Sequence, residues 1–499
     1  MSNADKFTYY WYDYETFGID PALDRPAQFA GQRTNADLEL IGDPLIIYNR
    51  LTPDYLPDPG SCKITGISPH TVEKHGLPEN QFIEQIQKQL SAPATCNVGY
   101  NNIRFDDEFT RFTLFRNFYD PYQHEWASDN SRWDLLDVVR MTRALRPDGI
   151  EWPHHEDGSA SNRLEDLTRV NGIAHADAHD ALSDVHATIA LARLIRDKQP
   201  RLFNFAQANR RKDACRQLLR LDQPQAVVHV SGMIPGEFHH LAVVVALAPH
   251  PSNNNGVVVF NLMSDPEELI ALAESGEAGV EEMAKRLFTR AKDLEEGISR
   301  LPLKTVHVNR TPVLAPISVL REEDAERLNV SLNTCNANLQ KLLELDKDRL
   351  ARLRHAINSA MQSQHFNAPE NVEATLYSGS FFSRGDKELF DKIRNSTNGA
   401  ELTLLTEKDF ADKRAADLLF RYRARNFPDT LSDEEQTRWQ QHCKEQLEGN
   451  ETDNRKATYS RTLDSFRETL SSDEWKQPPL EELRDSLLSY ADSLNTSDN

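Results

Sequence analysis

The chain has 499 residues, of which 39% are hydrophobic and 27% charged, and its formal net charge at pH 7 is −21. This length predicts about three domains. A uniformly acidic surface repels phosphate, so the charge disfavours a protein that coats nucleic acid indiscriminately. The net charge is still compatible with an enzyme whose basic residues are gathered in one channel.

No apolar stretch approaches the ~20 residues that cross a bilayer, and the first residues lack a basic segment followed by an apolar one. We therefore expect no membrane span and no secretory signal. The five cysteines are far apart, and no pair has the spacing of a zinc site. Free thiols in a reducing cytoplasm are the expected state.

The first 200 residues alternate between predicted strands and helices, which indicates an α/β domain over residues 7–195. The predicted elements are strands at 7–15, 38–41, 44–48 and 95–100, a helix at 80–90, and two helices within 163–195.

Two further regions differ from the first in character. Residues 200–350 read as an α+β domain with a small barrel-like set of strands, and residues 352–490 read as helical and highly charged. The last 50 residues are acidic and sparsely apolar, which predicts a helix with a frayed end. The strands expected in the middle region lie at 226–232, 240–248, 256–262, 303–309 and 311–317, with a helical segment at 278–295.

Asp13 and Glu15 are two residues apart on the first predicted strand, so their side chains point to the same face. Adjacent carboxylates repel each other unless a cation lies between them. On a solvated strand such a pair is usually just surface charge. Here Tyr9, Trp11 and Phe17 flank it and indicate a buried strand, and buried like charges predict a metal site.

Three more residues extend this pattern in chain order. Asp106 comes at the expected start of a helix, and His179 precedes Asp184 by five residues near the start of a later helix. Each residue alone is more often a cap or a surface group, so the order of all five carries the specificity. Oxygen ligands from several carboxylates favour Mg²⁺ or Mn²⁺ over zinc.

This order resembles the DEDDh exonucleases, which have a ribonuclease H-like fold. Longer stretches resemble the bacterial exonuclease I family within that group, and they span most of residues 7–440. The matching stretches include DYETFG (13–18), ITGIS (64–68), GYNNIRFDDE (99–108), RNFYDPY (116–122), DNSRWDLLDVVR (129–140), NGIAHADAHDALSDVHATIA (171–190), HVSGM (229–233), VHVNRTPVLAP (306–316) and YRARNFPDTL (422–431).

The resemblance implies an α/β ribonuclease H-like exonuclease domain at 7–195, an SH3-like α+β barrel domain at 200–350 and an all-helical C-terminal domain at 352–490. It implies a processive 3′–5′ exonuclease that degrades single-stranded DNA to 5′-mononucleotides in DNA repair and recombination. The expected state is a cytoplasmic monomer. The expected partners are single-stranded DNA and the acidic C-terminal tail of single-stranded DNA-binding protein.

The resemblance also assigns the catalytic roles. Asp13 would bridge two Mg²⁺ ions, for which Mn²⁺ can substitute, and Glu15 and Asp184 would complete one site. Asp106 would support the metal mostly through water. His179 would take a proton from the attacking water.

Residues in the matched stretches are candidates for binding the substrate and the partner. Taken singly, Tyr122 and Trp126 would more often be packing residues than base platforms. A basic residue expected near Leu343 is absent, although Lys341 is close by. The substrate candidates are Glu15, Thr16, Ile67, Arg111, Tyr122, Trp126, Arg140 and Arg163, and the candidates for the partner tail are Arg146, Phe205 and Arg321.

Two alternatives accompany this interpretation. A DEDDh exonuclease could act on RNA ends or short oligonucleotides, because the chemistry at phosphorus is the same. Two large accessory domains argue against short substrates, because a short oligonucleotide does not need domains that clamp around a strand. A non-catalytic nucleic-acid-binding protein on a decayed nuclease fold would be favoured if any of the five residues were replaced, and all five are present.

Overall fold

The structure, a computed structural model, describes residues 7–175, 179–364, 367–448 and 462–495. The described residues form two compact units, each assembled from segments that are distant in the sequence. The first unit is made of the described residues within 1–131, 175–188 and 368–499, and the second of those within 132–174 and 189–367. Within the described ranges no helix is both long enough and apolar enough to cross a bilayer.

The first unit is built on a mixed β-sheet. Its strands are β1 (Thr8–Thr16), β2 (Pro26–Thr34), β3 (Leu40–Asn49), β4 (Gly76–Leu77), β5 (Thr95–Gly99) and β6 (Ser131–Asp134), the last of which leads into the second unit. Their order across the sheet is β4-β3-β2-β1-β5-β6. β1 runs antiparallel to β2 and parallel to β5, so it is an inner strand.

The second unit contains a five-stranded sheet. Its strands are β7 (Val227–Val230), β8 (Leu241–Pro249), β9 (Gly256–Asn261), β10 (Leu303–His307) and β11 (Val313–Pro316). They pair antiparallel in the order β10-β9-β8-β7-β11. Each predicted strand of the middle region coincides with one of them, because valine-rich runs between turn residues are a strong strand signal. Their side chains form the apolar core of this sheet.

Helices make up most of the remaining described chain. The α-helices are α1 (Pro59–Thr65), α2 (Pro69–His75), α3 (Glu79–Leu90), α4 (Asp106–Arg116), α5 (Leu135–Leu145), α6 (Leu164–Val170), α7 (Ala181–Lys198), α8 (Pro200–Ala208), α9 (Lys212–Leu218), α10 (Glu267–Glu274), α11 (Gly276–Phe288), α12 (Glu322–Arg327), α13 (Leu332–Leu343), α14 (Lys347–Gln362), α15 (Arg384–Asn395), α16 (Arg414–Asn426), α17 (Asp433–Glu448), α18 (Leu463–Ser471) and α19 (Leu480–Asn495). Short 3₁₀ helices lie at Gln123–Glu125, Ala127–Asp129, Gly236–Phe238, Ala291–Asp293, Ile317–Val319, Val372–Tyr377, Ala400–Leu404, Glu407–Asp409, Pro428–Thr430 and Asp473–Lys476.

The prediction for residues 26–48 was wrong in detail. The expected strand pair at 38–41 and 44–48 is the single strand β3, and its neighbour β2 was not predicted at all. The β2 sequence, PAQFAGQRT, has Phe29 as its one large apolar side chain and so shows no strand-like alternation. Its position between β1 and β3 determines its conformation, and nearly all of its residues are buried.

The described C-terminal residues, 462–495, form two packed helices where one helix with a frayed end was predicted. Helices α18 and α19, joined through the short helix Asp473–Lys476, contribute buried apolar side chains to a core cluster of the first unit. The contributing side chains are Phe466, Leu470, Trp475, Leu487 and Ala491. These helices pack on the core because their apolar residues recur at helical spacing on one face.

Candidate active site

Strand β1 presents its two carboxylates on one face. Tyr10, Tyr12 and Tyr14 point to the opposite face and pack in a cluster with residues of β2, α3 and α4. Because side chains alternate along a strand, Asp13 and Glu15 share the other face. Asp13 is half-buried and Glu15 is buried. The aromatic residues thus fix the strand so that both acids point the same way.

Asp106 is tied to this strand directly. It is buried in the first turn of α4, and the backbone N–H of Tyr14 donates a hydrogen bond to its carboxylate at 3.0 Å. The neighbouring Asp107 accepts hydrogen bonds from the hydroxyl of Tyr12 and from the amide of Asn102. These contacts hold the start of α4 against β1.

Glu15, His179 and Asp184 form the tightest group of the site. One carboxylate oxygen from each acid and one imidazole nitrogen of His179 all lie within 4.8 Å of one another. Asp184 is in the first turn of α7, and His179 precedes that helix with a left-handed backbone (φ 69°). Such a conformation is uncommon outside glycine and often occurs at functional sites. The structure therefore brings distant parts of the predicted pattern together.

Two residues beside this group, His175 and Asp180, were not among the predicted site residues. The imidazole of His175 lies 2.5 Å from the Asp184 carboxylate, and the charge of Asp180 adds to burial and the other acids in raising the pKa of Asp13 and Glu15. The dense run of His and Asp in residues 175–184 was the available signal. Its spacing alone does not say which of these side chains face the strand.

The carboxylates of the site repel one another strongly. Burial, followed by the charges of Asp184, Asp106 and Asp180, raises the pKa of Glu15 to about 9. Burial and the same neighbours, with Glu15, hold the pKa of Asp13 well above its usual range. A divalent cation would relieve this repulsion, and carboxylate oxygens are the ligands that Mg²⁺ and Mn²⁺ prefer. The residues present therefore fit a divalent metal.

Thr16 and Ile67 lie close to the end of β1 in the fold. The strand pairing shifts register between Glu15 and Thr16, and the buried Thr16 hydroxyl donates to the Gly18 carbonyl at 2.7 Å. Ile67 is 7% exposed and packs in the same apolar cluster as Phe17. Substrate binding by Ile67 stays a prediction.

Aromatic rings near Tyr122 form an open cavity of about 590 Å³ in the first unit. Tyr122 and Trp126 line it, together with Tyr377 and Phe381, which were not among the predicted site residues. Trp126 is 67% exposed and Phe381 is 86% exposed, so neither ring is core packing. Tyr122 lies 6.3 Å from Phe381 between ring centroids, in an edge-on arrangement. The aromatic stretch LYSGSFF was the signal for the second pair.

Arg111 is buried and paired with carboxylates, so it is not open to bind a phosphate in this structure. Its buried guanidinium is paired with Glu108 at 2.8 Å and Glu125 at 2.7 Å, and it lies 5.4 Å from the centroid of the Tyr122 ring. It therefore supports the Tyr122 ring in this structure. A phosphate contact by Arg111 stays a prediction.

The remaining substrate candidates lie in the second unit. Arg140, on α5, pairs with Asp137 at 2.6 Å. Arg163 is exposed at the start of α6. Both side chains offer positive charge, and their contact with DNA stays a prediction.

Two of the three partner candidates meet on one carboxylate. Arg146 contacts Asp324 at 3.0 Å, and Arg321 contacts the same carboxylate at 2.6 Å. Phe205 is half-buried on α8. Lys341 pairs with Asp265 at 2.9 Å. The structure thus brings Arg146 and Arg321 together.

Three family models match consecutive parts of the chain. "Exonuclease" matches residues 10–192, "Exonuclease I SH3-like domain" matches 210–358, and "Exonuclease I C-terminal domain" matches 370–493. Together they confirm the predicted fold class of an exonuclease domain, an SH3-like domain and a C-terminal domain.

Two curated relatives are named exodeoxyribonuclease I. The chain is 44% identical to that of Haemophilus influenzae over 443 residues, which is 89% of this chain and 91% of the relative. It is 45% identical to that of Escherichia coli over 435 residues, covering 87% of this chain and 89% of the relative.

Solved structures resemble the whole chain as well. E. coli exonuclease I in complex with a dA16 oligonucleotide is 40% identical with a TM-score of 0.88, and covers 98% of this chain and 100% of that one. A zinc-bound complex of E. coli exonuclease I with single-stranded DNA is 41% identical, with a TM-score of 0.87 and coverages of 98% and 99%. A structure of SSB and exonuclease I with an inhibitor is 40% identical, with a TM-score of 0.83 and coverages of 98% and 100%. The chain belongs to the exonuclease I family.

Proposed function

We propose that this chain is a 3′–5′ exonuclease that hydrolyses single-stranded DNA from its 3′ end to 5′-mononucleotides, with Mg²⁺ as its metal. The observation that carries the proposal is the convergence of Glu15, His179 and Asp184 beside Asp13 and Asp106. The relatives named exodeoxyribonuclease I and the oligonucleotide complex of E. coli exonuclease I support the choice of substrate.

Each residue of the site has a distinct task in this proposal. Asp13, Glu15 and Asp184 would hold the metal, and His175 orients Asp184 through their hydrogen bond. When bound, two divalent ions stabilise charge on the attacking and leaving oxygens of an in-line displacement. The exposed His179 would accept the proton of the attacking water, because its neutral imidazole can act as a general base.

Single-stranded DNA would follow exposed rings and positive charge outside the metal site. Rings stack on bases of any sequence, which suits an enzyme that digests without sequence preference. Trp126, Tyr122 and Phe381 supply such rings in the first unit. Thr16 and Ile67 would contact the terminal nucleotide, and Arg140 and Arg163 the phosphates.

The acidic tail of single-stranded DNA-binding protein is the proposed protein partner. Arg146 and Arg321 concentrate positive charge at Asp324, and Phe205 would supply an apolar wall. The structure of SSB with exonuclease I supports this choice. The domain limits 7–195, 200–350 and 352–490, the monomeric state and the cytoplasmic location stay predictions.

A substrate panel tests the proposal. Single-stranded DNA labelled at its 5′ end, its duplex and the matching RNA are incubated with protein in Mg²⁺, and products are separated by size and by chromatography. We expect stepwise shortening of the single strand with release of 5′-mononucleotides, and a chelator should stop it. A phosphorothioate linkage at the 3′ end should block digestion, whereas one at the 5′ end should not. Equal digestion of RNA would contradict the substrate assignment.

A further inference from the structure

We propose that the C-terminal segment 463–495 positions the end of strand β1 that carries Glu15, and that Tyr55 and Tyr490 are the positioning residues through which it acts. The inference rests on the proposed role of Glu15 as a metal ligand. It gives a positioning role to the C-terminal segment, which is far from the catalytic residues in the sequence and contains none of them.

A short chain of hydrogen bonds joins helix α19 to that strand. The hydroxyl of Tyr490 lies 3.0 Å from the carbonyl oxygen of Thr52 and 2.9 Å from that of Tyr55, and its one proton is shared between these two acceptors. The buried Tyr55 hydroxyl in turn lies 3.1 Å from the carbonyl oxygen of Phe17 and 2.9 Å from the carboxylate of Asp24. Phe17 is two residues beyond Glu15.

The same loop holds Phe17 by a second contact. The backbone N–H of Asp58 donates to the Phe17 carbonyl at 2.7 Å, and the Phe17 N–H donates to the Arg25 carbonyl at 3.0 Å. The Asp58 carboxylate also caps α1 by accepting from the Ser61 N–H at 2.8 Å. Residues 52–58 therefore fix both the end of β1 and the start of the helix that leads to the ITGIS turn.

Apolar packing gives the C-terminal segment a second hold on this region. Phe17 and Ile67 lie in one buried cluster with side chains of α18 and α19. Ser486 on α19 also accepts a hydrogen bond from the His70 N–H of α2 at 3.1 Å. The cluster members from the C-terminal segment are Phe466, Leu470, Trp475, Leu487 and Ala491.

The strand pairing at the end of β1 is irregular, so contacts from outside the sheet add to what holds it in place. The pairing with β2 shifts register between Glu15 and Thr16, so the ladder is irregular beside the metal ligand. Catalytic groups lose roughly 100-fold in rate when they are misplaced by about 1 Å. Residues 52–58, which α19 contacts through Tyr490, supply such a contact to the end of β1.

Two conservative variants test the inference. Tyr490→Phe and Tyr55→Phe keep the ring and remove only the hydroxyl. We expect each to lower kcat on single-stranded DNA by about tenfold with a smaller change in KM. We also expect weaker binding of Mn²⁺ by several-fold in calorimetry without DNA, which does not depend on turnover. Because both hydroxyls act on one path, the double variant should lose less than the product of the two single effects.

Tyr422→Phe is the matched control. Its hydroxyl accepts a hydrogen bond from the Asn80 amide at 3.4 Å, within the same unit but away from Phe17. It should keep wild-type Mn²⁺ affinity and kcat, whatever it does to the unfolding temperature. If Tyr55→Phe does not fold, the half-buried Tyr490 carries the test alone.

The inference is overturned if Tyr490→Phe matches the control in Mn²⁺ affinity and kcat, because the segment is then only a structural support. Glu15→Gln separates this result from a failure of the proposed site. Wild-type Mn²⁺ affinity in Glu15→Gln would refute the role of Glu15 itself. Weak Mn²⁺ binding in Glu15→Gln together with normal binding in Tyr490→Phe would refute the positioning role alone.

Discussion

Repulsion among the carboxylates makes the metal-free protein sensitive to pH. Burial and neighbouring acids raise the pKa of Glu15 from 4.5 to about 9 in the folded state. Between these values the folded protein holds a proton that the unfolded chain has released. Folding stability therefore falls as pH rises through this window. The raised pKa of Asp13, which has the same origin, acts in the same direction.

The size of the effect follows from proton linkage. One proton held only by the folded state lowers the free energy of unfolding by about 1.4 kcal/mol per pH unit. Between pH 4.5, the ordinary pKa of Glu15, and pH 7, this amounts to about 3 kcal/mol. Glu15→Gln removes the titrating group. Its stability relative to wild type should therefore increase by about that amount over the same interval.

Thermal and denaturant unfolding in a chelator, at several pH values between 4.5 and 7, measures this difference. Glu84→Gln is the control, because it removes a carboxylate from a surface pair with Lys88 outside the site. Adding Mg²⁺ to wild-type protein at the higher pH should restore stability, since the ion binds the folded state. A wild-type stability that does not fall with pH, or a fall that Glu15→Gln leaves intact, would refute the reasoning.

Three other predictions concern single side chains. His175→Ala leaves Asp184 without its 2.5 Å partner and should raise the Mg²⁺ concentration for half-maximal activity by roughly 10- to 100-fold, measured by metal titration. Trp126→Ala or Phe381→Ala should each weaken binding of a labelled single strand by about 1–3 kcal/mol, measured by anisotropy in a chelator; unchanged affinity would exclude stacking on that ring. Arg146→Ala should weaken binding of an acidic peptide ending in phenylalanine by roughly tenfold, and a peptide of scrambled sequence serves as the control.

The sequence predicted the catalytic pattern better than its surroundings. Asp13 and Glu15 could be placed on one face because strand periodicity is local, and Asp184 could be placed on a helix for the same reason. The contacts of His175 and Asp180 depend on where the fold places these two residues relative to Asp184 and Glu15. No local pattern encodes that placement.

The parts of the fold that were missed depend on their neighbours. β2 has the composition of a loop, yet it becomes an inner strand because β1 and β3 both pair with it. Helices α18 and α19 carry their apolar residues at helical spacing, but their place in the core depends on a surface that residues 51–72 provide. Tyr377 and Phe381 are some 250 residues from Tyr122 in the sequence, and only folding brings their rings to one cavity.

The most direct test of the central claim compares wild-type protein with Asp13→Asn on 5′-labelled single-stranded DNA in Mg²⁺. The change preserves the shape of the side chain and removes one charge from the carboxylate group. We expect the wild-type protein to shorten the strand from its 3′ end, and Asp13→Asn to lose at least about 100-fold in rate while still binding the strand. Full activity of Asp13→Asn would contradict the metal-dependent mechanism proposed for this site.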